Sequence, residues 1–332
     1  LKLITFLRDW ALPISIVTGI VAYFVFVALP LPAATHIAAG KVVAVVQPAM
    51  LFAMLFLSFC RISPHDLRLC PWHLWLLLTQ VLLFVLPAVW LLLCPDGLSN
   101  HAAVIIESAM LCLICPTATA AAVIVGKLKG HPAHVVTYTV IINLTVSLLI
   151  PLFAPLLHPH PDLSFLSSFL RLMARMFPLL IFPLLLAWMV RYSLPKVNEK
   201  LRHTGDLAFY IWAVSLSIAI AMSTRSIVHS NVGFRTLAGI ALASLLCCVF
   251  QFTWGRAIGS RYDVMGDHTE RTTAGQSLGQ KNTILLIWLS YTFFTPVTAI
   301  AGGFYCIWHN LINAWQLYRQ RRESTLPTSV HP

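Results

Sequence analysis

Apolar stretches of roughly 20 residues follow one another along almost the whole chain, the length a helix needs to cross about 30 Å of hydrocarbon at about 1.5 Å per residue. Ten can be marked, at 10–29, 42–60, 72–93, 103–126, 134–156, 169–190, 206–224, 234–254, 270–292 and 295–317. No segment between them is long enough to bury a core of its own. Composition agrees, with 58% of the 332 residues hydrophobic and 10% charged, where water-soluble domains carry about a quarter charged. The expected fold class is an all-α polytopic membrane protein with the lipid bilayer as its solvent. Soluble enzymes and DNA-binding modules are excluded.

The net charge of +11 raises nucleic acid as a partner, but no basic run exceeds the pair Arg321, Arg322. The basicity reads as topology instead. With ten spans and a cytoplasmic N-terminus, sixteen cations fall inside, among them Lys2, Arg8, Arg61, Arg68, Arg191 and Arg271. Five fall outside, Lys41, Arg171, Arg175, Arg225 and Arg235, and Lys281 is the remaining one. Nine spans would carry Arg319, Arg321 and Arg322 outside, against the positive-inside bias. Both termini are therefore expected in the cytoplasm and the protein in the cell membrane. The first apolar block is longer than the 7–15 residues or so of a signal-peptide core and reads as a retained span. Residues 319–332 show no apolar period and read as a disordered cytoplasmic tail. Trp10, Trp72, Trp188, Trp308 and Trp315 lie at span ends and read as interface anchors.

Ten spans divide into two halves of five, 1–158 and 159–318, and an odd number per half forces the second to run upside down relative to the first. That is the arithmetic of inverted-repeat transporters. The fourth span of each half is interrupted, first by Cys115-Pro116-Thr117 and then by the run from Gly275 to Asn282. Pro116 lacks an N–H and opposes the preceding turn, while Gly275 and Gly279 tolerate backbone shapes that other residues resist. Breaks in corresponding positions point to a binding site, because freed backbone groups survive in lipid only where protein, water or ligand pairs with them.

Among polar residues within spans, Lys281 matters most. A charge at mid-membrane costs at least about 2.5–3.5 kcal/mol on insertion scales and is expected to face a polar cavity with a partner. An interfacial, snorkelling lysine is the alternative. Ten residues separate it from Arg271, however, about 15 Å of helix. Glu107 lies in an apolar stretch, where it carries a proton, offsets Lys281, or sits near the outer interface satisfied by water or a neighbouring helix. Gln80, Thr139 and Asn143 read as hydrogen-bonding glue between helices. Gly275-Gln276-Ser277-Leu278-Gly279 matches the G-x-S-x-G pattern of a nucleophilic serine, but no α/β sheet is available to present it. An intramembrane serine hydrolase at Ser277 is the distant alternative to transport, and the chain is not expected to be an enzyme. The eight cysteines lie mostly in or beside apolar segments, which argues against disulfides, and Cys112-x-x-Cys115 has no second pair. No metal or cofactor is expected.

At the two interrupted spans the chain resembles the bile acid:sodium symporter family of ten-span organic-anion transporters. The resemblance rests on Leu113-Ile-Cys-Pro116-Thr-Ala-Thr119 with Lys129-Gly130, on Gly279-Gln-Lys-Asn282, and on Phe294-Thr-Pro296 and Trp308-His-Asn310. It implies a panel of spans 1, 2, 6 and 7 against a core of spans 3, 4, 5, 8, 9 and 10, with spans 4 and 9 crossing at their breaks. It further implies two sodium ions behind that crossing. Thr139 and Asn282 match the family pattern. The family's Ser-Asn pair falls on Ala121-Ala122, its Glu on Ser277 and its Gln on Lys281. Alanine supplies no oxygen and an ammonium repels a cation, so these replacements dismantle both sites.

The expected function is therefore secondary transport of a small organic anion, a carboxylate or sulfate, with Lys281 in place of sodium. Ser277 and Gln280 would be its hydrogen-bond partners, and Thr119, Gln280 and Asn282 would face the substrate. Cycling of Lys281 or Glu107 between charged and neutral forms would couple transport to protons. A fixed charge would make the protein a facilitator. Sodium-coupled symport is the alternative.

Overall fold

The computed structural model describes residues 10–94, 99–230, 232–264 and 267–325. Among them regular structure is helical, with thirteen α-helices, one short 3-10 turn at Pro64–Asp66 and no strand. In chain order the helices are α1 (Ala11–Ala28), α2 (Ala33–Phe59), α3 (Pro71–Leu93), α4 (Asn100–Ile114), α5 (Ala121–Lys127), α6 (Pro132–Leu157) and α7 (Phe165–Ser193). There follow α8 (Pro195–Arg202), α9 (Gly205–His229), α10 (Phe234–Gly259), α11 (Thr269–Gly279), α12 (Thr283–Phe293) and α13 (Ala299–Thr325). Seven of these, α1, α2, α3, α6, α7, α9 and α10, are long and apolar enough to cross a membrane.

The lipid reading is visible in which faces are buried. Along α3 the apolar Leu74, Leu78, Leu82 and Leu86 recur every fourth residue on one exposed face, while His73 and Gln80 are buried. Water-soluble helices do the reverse. This is a polytopic, all-helical membrane protein, its polar side chains turned inward to one another.

Local sequence sets the helix ends. Pro71 opens α3, where its missing N–H is no loss, and the Cys70 N–H bonds Nδ1 of His73 at 3.0 Å. Ser99 accepts the Ala102 N–H at the start of α4, and Ser164 accepts that of Ser167 at the start of α7. Several boundaries differ from the hydropathy reading. Helix α2 begins at Ala33, which places Lys41 inside it, and α7 begins at Phe165, which does the same for Arg171 and Arg175. A window average sees only the apolar middle of a helix whose charged turns continue beyond it. The expected tail is helical as far as Thr325; residues 326–332, like Lys2 and Arg8, lie outside the described residues.

The helices pack as two groups. Helix α1 lies on α9, and α2 on both α7 and α9. In the second group α3 packs on α4 and α6, while α10 packs on α4, α11 and α13. The groups meet where α6 contacts α7 and where α9 contacts α13. Helices α10 and α11 approach with their backbones in contact. A Cβ added to Gly255 would lie 2.6 Å from the Ala274 carbonyl oxygen, and one added to Gly259 2.4 Å from that of Glu270. Gly275 completes this small-residue seam, since a Cβ there would meet Cγ of Arg256 at 2.5 Å. Gly275 was expected at the helix break; it lies inside α11, and its missing side chain serves packing.

Candidate functional site

Two helical segments stop short and resume. Helix α4 ends at Ile114 and α5 starts at Ala121; α11 ends at Gly279 and α12 starts at Thr283. The second break is thus narrower than its sequence suggested, and the polar α11 persists because it is enclosed, with every residue from Thr273 to Gly279 buried. Tertiary enclosure overrides a run of Thr, Gly, Gln and Ser that is a poor apolar span by itself.

The breaks lie against each other as a short antiparallel bridge between Thr117 and Lys281. The Ala118 N–H donates to the Gln280 carbonyl at 2.8 Å, and the Asn282 N–H to the Pro116 carbonyl at 2.9 Å. Side chains close the rest. The Thr117 hydroxyl donates to the Ser277 carbonyl at 2.6 Å, and Cys115 Sγ lies 3.2 Å from the Asn282 carbonyl. Asn282 Oδ1 accepts the Leu285 N–H at 3.1 Å and so starts α12.

Two Gln–Tyr pairs satisfy further carbonyls where the helices stop, and neither tyrosine stood out in the sequence. Gln80 on α3 donates to the carbonyls of Leu113, at 2.7 Å, and Cys115, at 3.3 Å, where α4 ends. Its own oxygen accepts from the hydroxyl of Tyr138 on α6. Gln251 on α10 donates to the hydroxyl of Tyr305 on α13 at 3.0 Å, and that hydroxyl donates to the Gly279 carbonyl at 2.8 Å, where α11 ends. The available signal was a Gln followed by a Tyr at similar long separations, 58 and 54 residues, in the two halves.

Lys281 is completely buried at this crossing, and its Nζ has no hydrogen-bond partner among the described residues. The Oε1 of Gln280 is likewise buried and unpartnered. The expected bond from Lys281 to Ser277 is not made, because the serine hydroxyl turns back one turn to the Thr273 carbonyl at 2.8 Å. Gln280 and Asn282 are buried and Thr119 is half-buried, so the crossing is closed in this conformation. The crossing brings together Pro116, Ser277, Gly279, Gln280, Lys281 and Asn282.

Glu107 and Thr139 are engaged elsewhere. The Thr139 hydroxyl donates within α6 to the Val135 carbonyl at 2.8 Å. Glu107 Oε2 pairs with Nε2 of His158, just beyond α6, at 2.8 Å. The hydrogen bond and charge of Glu107 hold the His158 imidazole above its ordinary pKa, against partial burial that pulls the other way. No family model matches the chain, and no curated protein matches it significantly. One further expectation needs correction. Trp72 is not an interface anchor but fully buried, its indole N–H donating to Glu270 at 2.8 Å. His309 is buried within α13 with its ring edge-on to that of Tyr305.

Proposed function

We propose that this protein is a secondary transporter of a small organic anion, a carboxylate or sulfate, in the cell membrane, with both termini in the cytoplasm. The observation that carries this reading is the buried Nζ of Lys281, without a hydrogen-bond partner among the described residues, where two interrupted helices meet. A mid-membrane charge belongs to a polar path, and crossed helix breaks are the geometry that secondary transporters use to hold substrate at the bilayer midplane. Positive charge there favours an anion; Gln280 and Asn282 flank Lys281 in the chain, and Thr119 lies two residues beyond its bridge partner Thr117.

An architecture of two inverted five-span halves is part of the proposal, with α4–α5 and α11–α12 as the broken fourth and ninth spans. The packing supports it. Under a shift of five spans the α1–α9 contact maps onto α7–α2, α3–α4 onto α10–α11, α3–α6 onto α10–α13, α4–α10 onto α11–α3, and α6–α11 onto α13–α4. All ten of these pairs touch. The two Gln–Tyr pairs exchange under the same shift. The first packing group then corresponds to the panel, and the second to the core, implied by the resemblance to bile acid:sodium symporters.

The residues at the crossing do not fit bound sodium. Ala121, buried at the start of α5, and Ala122 beside it offer no side-chain oxygen, and the Lys281 ammonium lies in the crossing itself. In this reading the tethered charge replaces the ion. The Ser277 hydroxyl, engaged with its own helix, is a structural group rather than a nucleophile.

The test is uptake of labelled organic anions into proteoliposomes, compared under an inward sodium gradient, an inward proton gradient and neither. Sodium-independent uptake is expected. Stimulation by protons would make Lys281 or Glu107 the coupling group, and no stimulation would indicate a facilitator. Stimulation by sodium would overturn the role given to Lys281, and absence of uptake for every anion would overturn the transporter.

A further inference from the structure

Away from the crossing, Cys70, His134 and Glu270 each present one donor atom, all within 4.8 Å of one another. They come from three separate segments: the residue before α3, the first turn of α6 and the first turn of α11. Glu270 Oε2 accepts the Trp72 indole N–H at 2.8 Å, which holds the carboxylate with Oε1 turned towards the histidines. That Oε1 lies 3.0 Å from Nδ1 of His134 and 3.9 Å from Nε2 of His131. In tetrahedral zinc sites, with bonds of about 2.0–2.3 Å, neighbouring ligand atoms stand about 3.3–3.8 Å apart. His134 Nδ1 lies 3.0 and 3.4 Å from the two Glu270 oxygens, close to that spacing, and the Cys70 sulfur lies within 4.8 Å of the other donors.

We infer that Cys70, His134 and Glu270 form a binding site for a divalent transition metal of the zinc type, with His131 or water as the fourth ligand. The donor set decides the class. One sulfur, imidazole nitrogen and one carboxylate oxygen suit zinc and its neighbours, whereas magnesium and calcium take oxygen almost throughout. A thiolate and a carboxylate neutralise the two positive charges of the ion. The support around the site is of the kind that orients metal ligands. His73, buried beneath it, accepts the Cys70 N–H at 3.0 Å through Nδ1 and donates from Nε2 to the His134 carbonyl at 3.1 Å, so one ring fixes the backbones of two ligands. Access is open, since a cavity of about 300 Å³ lined by His65, Arg68, His131 and His134 leads to it and the His131 side chain is half exposed.

A metal here would tie the start of α11 to α3 and α6. Nine residues later α11 ends at Gly279, about 14 Å along the helix, with Lys281 two residues beyond, so occupancy would restrain the half-helix that leads into the second break. The site itself stands or falls independently of transport.

The full chain, purified in lipid nanodiscs, stripped with chelator and re-equilibrated with zinc, is expected to retain one zinc per chain by elemental analysis after gel filtration. Cys70→Ser and His134→Ala are expected to lose it, each with an unchanged elution profile, while His101→Ala, altered where that ring meets Thr236, retains it. Cobalt in place of zinc should give the near-ultraviolet thiolate-to-cobalt absorption together with tetrahedral visible bands. Should either variant fail to fold, the cobalt spectrum of the unaltered chain decides. Zinc retention no greater than in Cys70→Ser, or a cobalt spectrum without the thiolate band, overturns the site.

Discussion

The Asn282 N–H donates to the Pro116 carbonyl at 2.9 Å, and the Ala118 N–H to the Gln280 carbonyl at 2.8 Å, so each interrupted helix pairs what the other's interruption leaves free. Two helix breaks that would each be costly alone in lipid are thereby stable together. Among the described residues the crossing leaves two buried side-chain groups unpaired, Gln280 Oε1 and Lys281 Nζ, and the first prediction concerns the lysine.

Lys281→Met removes a buried amino group that has no hydrogen-bond partner among the described residues, while keeping most of the side-chain volume. Melting temperature in detergent is expected to rise, because replacing a buried ion with an apolar group of similar size is often stabilising. Uptake of the organic anion is expected to fall by about tenfold or more, about 1.4 kcal/mol of lost interaction. Higher stability with unchanged uptake would detach the lysine from function.

Tyr305→Phe and Tyr138→Phe each leave buried polar groups unpaired at a helix break. Each is expected to cost about 1–3 kcal/mol in unfolding experiments. Because Gln251 and Tyr305 share one network, Gln251→Leu combined with Tyr305→Phe should cost less than the two single changes together. Strict additivity would show that the pair does not act as a unit.

Gly279→Ala puts a methyl group 2.4 Å from the Phe252 ring, where nothing flexible can yield. Overpacking of this kind is expected to destabilise by about 1–3 kcal/mol. Adding Phe252→Leu should restore part of the loss. A Gly279→Ala protein as stable as the parent would mean that α10 and α11 separate more easily than their close approach implies.

His158 binds its proton more tightly beside Glu107 than it would in the unfolded chain. The contribution is therefore fully present below the ordinary histidine pKa and is lost as pH rises through the raised value. Melting temperature followed from about pH 5 to about pH 9 is expected to fall across that window by a component that Glu107→Gln removes. A component that survives Glu107→Gln would have to arise from another group.

Hydropathy made the long apolar helices legible, since about 20 apolar residues in lipid have few alternatives to a helix; it did not reveal the polar α8 or mark α11 as a helix, which needs its tertiary enclosure. Pro116 marked the first break for the same local reason. Gly275 misled because a glycine looks alike in sequence whether it bends a chain or admits a neighbour; only the approach of Arg256 separates the two. Tyr138 and Tyr305 were invisible because a tyrosine in an apolar run reads as apolar, and its hydroxyl gains meaning only when a glutamine from another helix reaches it.

By itself the sequence determined the solvent, the helical class and the presence of two interrupted segments, all of which follow from composition and local backbone chemistry. Tertiary structure alone decided that the interruptions pair with each other, that Lys281 lies between them without a hydrogen-bond partner among the described residues, and that Cys70, His134 and Glu270 converge. Those facts depend on distances between segments from 64 to more than 160 residues apart along the chain, as between Cys70 and His134 or Thr117 and Lys281, and no local preference encodes such distances.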